Sequence, residues 1–401
     1  MELTSSEPYW LRKNGIMHTY PSLKEDIETD ILIVGAGITG SLLAHQVIKD
    51  GYKAVIIDRR DVASGSSSAT TSMLQYEIDI PLHKLIKKVG EKAAVDAYWA
   101  CANAIAELRE IVQEVDSDCG FKLQKSLLYA SKKSHIKMLK KELECRALHG
   151  FPVTWLSEEE ILETYGIQKA YAGILSEIGG SVDAYILAND LLDFNVKKGL
   201  QVFDRTEIAK INTVKEGVEV RTANAKIIKA KKIVYATGYE VTEMLRGNVV
   251  KLLSSFAIVS EQNLEGIELF KDTLFWNTDD PYMYFRTTDD HRLLVGGQDL
   301  PFKNPELRNK MLEKQSKKIE DYLEKHLVKF KHQTDYKWAG TFGETKDGLP
   351  FIGEHEKHPN SYFVLGFGGN GITFSVAGMP MLSSWLQGQS HKLSEHFRFD
   401  R

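Results

Sequence analysis

The chain has 401 residues, a net charge of −4 and 26% charged residues, enough length for more than one domain. That charge balance argues against nucleic acid or an anionic membrane surface as partner. No apolar stretch reaches the ~20 residues of a membrane span, and Met1 to Glu7 lacks a basic, then apolar, leader. The three cysteines, Cys101, Cys119 and Cys145, are odd in number and lack metal-ligand spacing, which fits a reducing compartment. A cytoplasmic protein without a transmembrane segment or a metal site is expected. His355 and His358 read as part of a solvated loop, since nothing near them in sequence completes a coordination set.

Ile31 to Val34 has the apolar composition of a buried parallel strand and runs into Gly35-Ala36-Gly37-Ile38-Thr39-Gly40. Apolar residues then recur at helical spacing through Ile48, and a second apolar strand, Ala54 to Ile57, ends on Asp58. This is a dinucleotide-binding fingerprint in its strand–turn–helix–strand context. Gly35 permits the turn, Gly37 lets backbone approach a pyrophosphate, and Gly40 lets helix and strand pack closely. The helix start at Ile38 and Thr39 offers free N–H groups to phosphate, and Asp58 is placed to accept from ribose hydroxyls. Asp58 disfavours a 2′-phosphate, with Arg59 and Arg60 able to offset part of that repulsion.

After this unit, Leu82 to about Cys119 reads as helix, Lys122 to Ala130 as strand and Lys132 to His149 as an amphipathic helix. Ser157 followed by Glu158, Glu159 and Glu160 is a helix start with a serine cap and an acidic first turn. Gly179 to Asp183 leads into a helix over 184–198. Strands follow at Gln201–Phe203, Ala209–Asn212, Val218–Thr222, Ile227–Lys229 and Lys232–Tyr235, the last ending in Ala236-Thr237-Gly238. A second strand-rich block spans 251–297 and includes a hairpin of Tyr282 to Arg286 and Arg292 to Val295. Pro305 to Leu327 reads as a helix with proline near its start. The chain closes with a turn from Lys346 to Gly353, a strand from Tyr362 to Leu365, a glycine turn from Gly366 to Gly371 and a helix to Gln387.

Three features point to FAD as the nucleotide. Residues 62–74, V-A-S-G-S-S-S-A-T-T-S-M-L, place Ser66, Ser67, Thr71 and Ser72, then Met73, just beyond the ribose-binding strand. Ala236-Thr237-Gly238 supplies a second close backbone approach much later in the chain. Gly368-Gly369-Asn370-Gly371 opens a helix whose N–H groups can stabilise negative charge on a reduced flavin. Asn370 and Thr373, with Ile372 between them, are expected at the flavin.

These segments, with the entry Pro8-Tyr9-Trp10 and Tyr20-Pro21-Ser22-Leu23 and the turn D-G-L-P-F-I-G at Asp347 to Gly353, resemble the D-amino-acid oxidase-like family of FAD-dependent oxidoreductases. That family includes glycine oxidase, sarcosine oxidase and γ-glutamylputrescine oxidoreductase. The resemblance covers almost the whole chain. It implies an α/β fold, α+β overall, in which a Rossmann-like ββα FAD-binding domain (1–80, 150–245 and 336–401) interleaves with a substrate domain (81–149 and 246–335). The substrate domain is expected to be a mostly antiparallel sheet with helices. Ile208 joins the expected cofactor-binding set.

The resemblance further implies removal of a hydride from a C–N bond of an amine or amino acid to flavin N5, giving an imine that hydrolyses. Oxygen or a quinone-type carrier would then accept the electrons. No cysteine follows Cys145, so the C-terminal thioether link of some relatives is absent and FAD is expected to be non-covalent.

Strand alternation puts Tyr282, Tyr284 and Arg286 on one face of the hairpin. Tyr284 aligns with the tyrosine that glycine oxidase-like relatives place over the substrate. Arg286 is expected either to grip a carboxylate through a fork or to be a surface arginine beside Asp289 and Asp290. Two arginines of those relatives are replaced, one by Phe342 in W-A-G-T-F-G and one by Gly369. That change suits an amine with a remote or absent carboxylate. Gln75, Tyr76 and Glu77 are candidates for the pocket wall, with Glu77 either pairing a cationic amine or serving as a cap or solvent residue. Two other readings remain open: a flavin dehydrogenase of a hydroxy acid or glycerol phosphate, whose serine-rich loop is similar, and a non-catalytic flavin-binding subunit of an oxidoreductase complex.

Overall fold

The computed structural model describes residues 2–5, 7–215, 217–245, 250–366 and 368–401; Met1, Ser6, Glu216, 246–249 and Phe367 lie outside the described residues. Phe367 interrupts the expected glycine turn, so that turn is described on either side of it.

One sheet of eight strands carries the fingerprint. Its parallel core runs Gln201–Phe203, Ala54–Ile57, Ile27–Val34 and Ile227–Tyr235, with Gly217–Thr222 and Ile208–Val214 continuing antiparallel. Helices cannot cover a sheet of this kind unless both faces are apolar, and the strands comply. Ile31, Ile33, Ile56 and Val234 enter one core with the helices Ile38–Lys49, Ala184–Val196 and Gly371–Leu386, while Leu32, Val55, Ile57 and Ile233 enter a second core on the other face.

Two expected strands, Ile227–Lys229 and Lys232–Tyr235, are one continuous strand with two successive neighbours. Its first half pairs with Gly217–Thr222, and Ile233 to Tyr235 pair in parallel with Ser361 to Phe363 of the strand His358–Leu365. That switch of neighbour brings the C-terminal strand, and the glycine turn after it, beside Ala236.

The second sheet has nine strands. In order they are Thr4–Ser5, Thr334–Glu344, Lys251–Ser260, Leu293–Pro301, Tyr284–Thr287, Thr273–Asn277, Lys125–Tyr129, Ala172–Ser176 and Val153–Ser157. All neighbours are antiparallel except Thr273–Asn277 with Lys125–Tyr129. Val153–Ser157, Ala172–Ser176 and Thr334–Glu344, which the sequence reading groups mostly with the cofactor region, thus pair in this sheet. A small sheet of Met73–Gln75, Gly179–Ser181 and Lys122–Leu123 joins the loop after the fingerprint to the rest.

The long helix expected from Leu82 is two helices, Leu82–Val89 and Glu91–Glu114, because Gly90 has φ +88° and ends one before the other begins. Ser157 and Glu160 form a full capping box for Glu158–Tyr165, and Asp183 caps Ala184–Val196 through Tyr185 and Ile186 N–H. Pairing in the hairpin strand begins at Tyr284, not Tyr282, because Met283 N–H donates to the Asn277 side chain (3.0 Å).

Candidate functional site

A cavity of about 500 Å³ runs between the two large sheets and draws its walls from segments scattered along the chain. At one end lies the first glycine turn. Gly35 has φ +103°, and a Cβ there would sit 2.5 Å from the Ala236 carbonyl oxygen; a Cβ on Gly40 would sit 1.8 Å from the Gly35 oxygen. Gly40 therefore packs the helix against the turn and does not itself line the cavity, whereas Gly35, Gly37, Ile38 and Thr39 do. Thr39 Oγ1 meets Ser375 Oγ at 2.7 Å and joins the helix Ile38–Lys49 to the helix Gly371–Leu386.

Asp58 lines the same end and accepts from Ala36 N–H (2.8 Å) and Arg60 N–H (2.9 Å), which fixes the carboxylate while leaving lone pairs for a ribose. Burial pushes its carboxyl upward in pKa, and the two N–H bonds pull it back. Arg59 and Arg60 also line the wall and both pair with Glu240.

The serine-rich loop is held from behind by three donors on three successive carbonyls. Trp338 Nε1 donates to Ala69 O (2.9 Å), Trp10 Nε1 to Thr70 O (2.7 Å) and Arg286 Nε to Thr71 O (2.7 Å). With those carbonyls engaged, Ser66, Ser67, Thr71 and Met73 are fixed along the cavity. Ser67 Oγ accepts the Ile38 N–H at 2.8 Å, so part of its expected phosphate-binding capacity serves the helix start instead. Ser72 is buried at φ +53° behind this surface. Across from the loop, Ile208, Ala236, Thr237 and Gly238 line the cavity, and Thr237 Oγ1 is shielded and without a hydrogen-bond partner among the described residues.

Gly368, Gly369, Gly371 and Ile372 bring the start of the helix Gly371–Leu386 to the cavity. Asn370 and Thr373, expected at the flavin, turn inward instead. Asn370 Nδ2 donates to Gln75 O (2.8 Å) and Glu77 O (3.0 Å), and Thr373 Oγ1 donates to Asn370 O. They pin the turn to the strand Met73–Gln75. Gln75 reaches the wall, but Tyr76 and Glu77 do not: Glu77 is buried against Arg146 (3.2 Å) in an ion pair that also holds Glu142.

Tyr282 and Tyr284 line the far end, their rings 5.6 Å apart, together with Ser255, Asp299 and Phe342. Arg286 requires a correction. It neither faces the cavity nor lies on the surface: its guanidinium is buried and donates to Thr71 O, Thr287 O and Val182 O, and burial lowers its pKa to about 10. Strand alternation puts it on the Tyr284 face, but the serine-rich loop crosses that face and takes its Nε–H, while Thr287 O and Val182 O take the other two donors.

Sequence reasoning missed Asp79 and Asp299. Asp79 accepts from Tyr282 OH (3.0 Å) and Gly369 N–H (3.0 Å), and its Oδ1 stands 2.9 Å from where a Gly369 Cβ would be. A side chain at 369 would displace it, so the glycine and the aspartate are one arrangement. No spacing rule links positions so far apart in sequence. Among the described residues, no cluster of His, Cys, Asp and Glu is arranged to hold a metal, and no helix is long and apolar enough to cross a membrane.

The geometry suits a dinucleotide carrying a flat ring. A glycine cradle admits no Cβ, two helix starts face the cavity, an orphan hydroxyl waits at Thr237, and the far end is aromatic. Comparison with known proteins agrees. A family model described as FAD dependent oxidoreductase (DAO) matches residues 30–382. Glycine oxidase of Geobacillus kaustophilus is 25% identical over 364 residues, covering 86% of this chain and 89% of its own length. γ-Glutamylputrescine oxidoreductase of Escherichia coli is 22% identical over 400 residues, covering 98% and 91%. Among solved structures, L-amino acid deaminase from Proteus vulgaris superposes with a TM-score of 0.77 at 15% identity, covering 96% of this chain and 99% of that one.

Proposed function

The chain belongs to the DAO family of FAD-dependent oxidoreductases, and from that premise we propose that it oxidises the C–N bond of a small amine to an imine. The observation that carries this reading is a single cavity running from the Asp58 end to the Tyr282 and Tyr284 rings. Bound FAD supplies the two-electron acceptor. The glycine cradle with Asp58 would hold its nucleotide half, and Thr237, Met73, Gly369 and Ile372 its ring, without a covalent link. The substrate amine gives up the C–H bonding pair and a proton from nitrogen, and the resulting imine adds water and releases the amine group.

In this scheme the chain's own groups position and dry the reacting carbon. Tyr284 is held from two sides: its ring lies against Gly296, where a Cβ would stand 2.4 Å from it, and its hydroxyl faces Ser255 Oγ at 3.5 Å. We assign Tyr284 to substrate contact and Arg286 to positioning of the Thr71 loop. We also infer a division by sheet, the eight-stranded sheet holding the cofactor and the nine-stranded sheet covering the ring.

The rival reading, oxidation of a hydroxy acid or glycerol phosphate, requires an anion at the far end. That end presents Asp299 with Asp79, Asp280 and Glu344 close enough to raise its pKa, which disfavours an anion. Anaerobic mixing of FAD-loaded protein with amines, amino acids, hydroxy acids and glycerol phosphate tests the choice. Bleaching of the visible flavin bands by amines is expected; bleaching by hydroxy acids alone would overturn it.

A further inference from the structure

The strand Leu293–Pro301 carries a defect where it meets the cavity. Its register with Lys251–Ser260 pairs Ser254 with Leu300 but Phe256 with Gly297, so Ser255 alone opposes both Gln298 and Asp299. This is a β-bulge, and Gln298 adopts φ +58°, a conformation disfavoured for any residue with a side chain other than asparagine or aspartate. Bulges of this kind re-aim a side chain, and here the re-aimed residue is Asp299, which lines the cavity. Its Oδ1 is shielded from solvent and has no hydrogen-bond partner among the described residues, and the Ser255 hydroxyl beside the carboxyl is a neutral donor that brings no charge. An unpaired carboxylate oxygen in such a place is costly unless something from outside completes it.

The surroundings state the sign of what completes it. Tyr282, Tyr284 and Phe342 present aromatic rings to the same space, and ring faces attract cations. Of the four acids lining the cavity among the described residues, Asp58 accepts backbone N–H bonds, while Glu240 and Glu207 face Arg59 and Arg60. Asp299 has no such cation, and Asp79 and Glu344 behind it add negative potential.

We propose that Asp299, Tyr282, Tyr284 and Phe342 form a subsite for a positively charged alkylammonium group, so that the substrate is a cationic amine with no carboxylate on the carbon that is oxidised. This rests on the amine reading above and narrows it: one nitrogen reacts as the free base, and a second, charged nitrogen anchors the chain in the box. A diamine or polyamine meets both requirements. A simple α-amino acid does not, since its carboxylate would face Asp299 with Arg286 sealed behind the Thr71 loop.

Tetramethylammonium tests the subsite directly, because it carries a permanent charge and has no nitrogen lone pair to be oxidised. FAD-loaded protein is titrated with tetramethylammonium chloride or sodium acetate at constant ionic strength, following perturbation of the visible flavin bands. Saturable binding of tetramethylammonium is expected, weakened at least about 10-fold by Asp299→Asn and by Phe342→Leu; acetate should bind more weakly and gain affinity in Asp299→Asn. Asp299→Asn keeps shape and hydrogen-bonding capacity, and bound flavin per polypeptide reports whether each variant has folded. Equal or tighter binding of acetate, or an unchanged tetramethylammonium affinity in folded Asp299→Asn, overturns the subsite. Reduction by amines without tetramethylammonium binding would sink the subsite alone. Binding as expected with no reduction by any amine would uphold it and sink the amine chemistry.

Discussion

At the Gly35 end of the cavity the walls are largely backbone, contributed by turns whose glycines admit no side chain. At the Tyr284 end they are side chains, drawn from Lys251–Ser260, Tyr284–Thr287, Leu293–Pro301 and Thr334–Glu344. The first construction tolerates little change because its backbone segments already meet so closely that Gly35 and Gly40 have no room for a Cβ. The second can be altered one side chain at a time while the sheet persists. A fold of this kind keeps its cofactor constant and varies its substrate, and substitutions at the two ends should fail in different ways.

The largest effect is expected at Gly40. A methyl group there would stand 1.8 Å from the Gly35 oxygen, a distance no side-chain adjustment relieves because both partners are backbone. Gly40→Ala should lower FAD affinity at least about 100-fold, read as bound flavin per purified polypeptide. A variant that retained stoichiometric flavin would show that the turn at this end is not rigid.

The next effect falls at the junction of the two ends. Arg286→Met removes three buried donors and leaves the carbonyls of Thr71, Thr287 and Val182 unsatisfied, at about 1–3 kcal/mol for each group that water cannot reach. Thermal denaturation should show a loss of several degrees, and FAD should dissociate more readily because the Thr71 loop loosens. The KM for the amine, measured with FAD in excess, should change far less than the FAD affinity. A selective rise in amine KM would return Arg286 to the role of a substrate clamp.

The same contrast explains what was legible beforehand. Gly35, Gly37, Gly40 and Asp58 lie in one continuous segment, and their roles follow from local backbone requirements that a sequence displays directly. The Tyr282–Tyr284 wall was half visible, since alternation along a strand is also local. Arg286 was misplaced because alternation gives a face and not what crosses it. Asn370 and Thr373 were misplaced because a helix start fixes the backbone, while the side chains followed the carbonyls of Gln75 and Glu77. Asp299 was invisible because a bulge shifts the period-two pattern, and Asp79 because its partners Tyr282 and Gly369 are joined to it only by the tertiary fold.

A smaller effect, confined to the Tyr284 end, concerns pH. Burial is the main cause that pushes the Asp299 carboxyl up to about 7, with Glu344, Asp79 and Asp280 adding to it and the Ser255 hydroxyl opposing; the Tyr284 hydroxyl faces the same group and stays protonated, its own pKa raised to about 12. Because the folded-state value exceeds the ordinary 3.8, the folded protein binds the extra proton between about pH 4 and 7, and stability contributed by this group falls as pH rises through that window. Tetramethylammonium affinity should move oppositely, rising as Asp299 ionises through pH 7. In Asp299→Asn both slopes should flatten, which denaturation and titration at pH 5.5 and 8 on the order of a unit or more from the midpoint would reveal.

The smallest expected effect separates the loop's fastening from its chemistry. Trp10 reaches the serine-rich loop by one bond, Nε1 to Thr70 O at 2.7 Å, between the Trp338 and Arg286 anchors on either side. Trp10→Phe keeps an aromatic ring in the buried space and a face toward the Arg286 guanidinium, which lies 5.4 Å from the present ring, but it deletes the donor. The two neighbouring anchors still hold the loop, so the cost should stay near a single lost hydrogen bond, about 1 kcal/mol. FAD affinity should fall only a few-fold, and the preference for tetramethylammonium over acetate should not change, because the loop meets the Asp299 box through Thr71 and Tyr284, and the Arg286 anchor on Thr71 O remains in place. If that preference changed with Trp10, the two ends of the cavity would be coupled through the serine-rich loop and the separation drawn between them would fail.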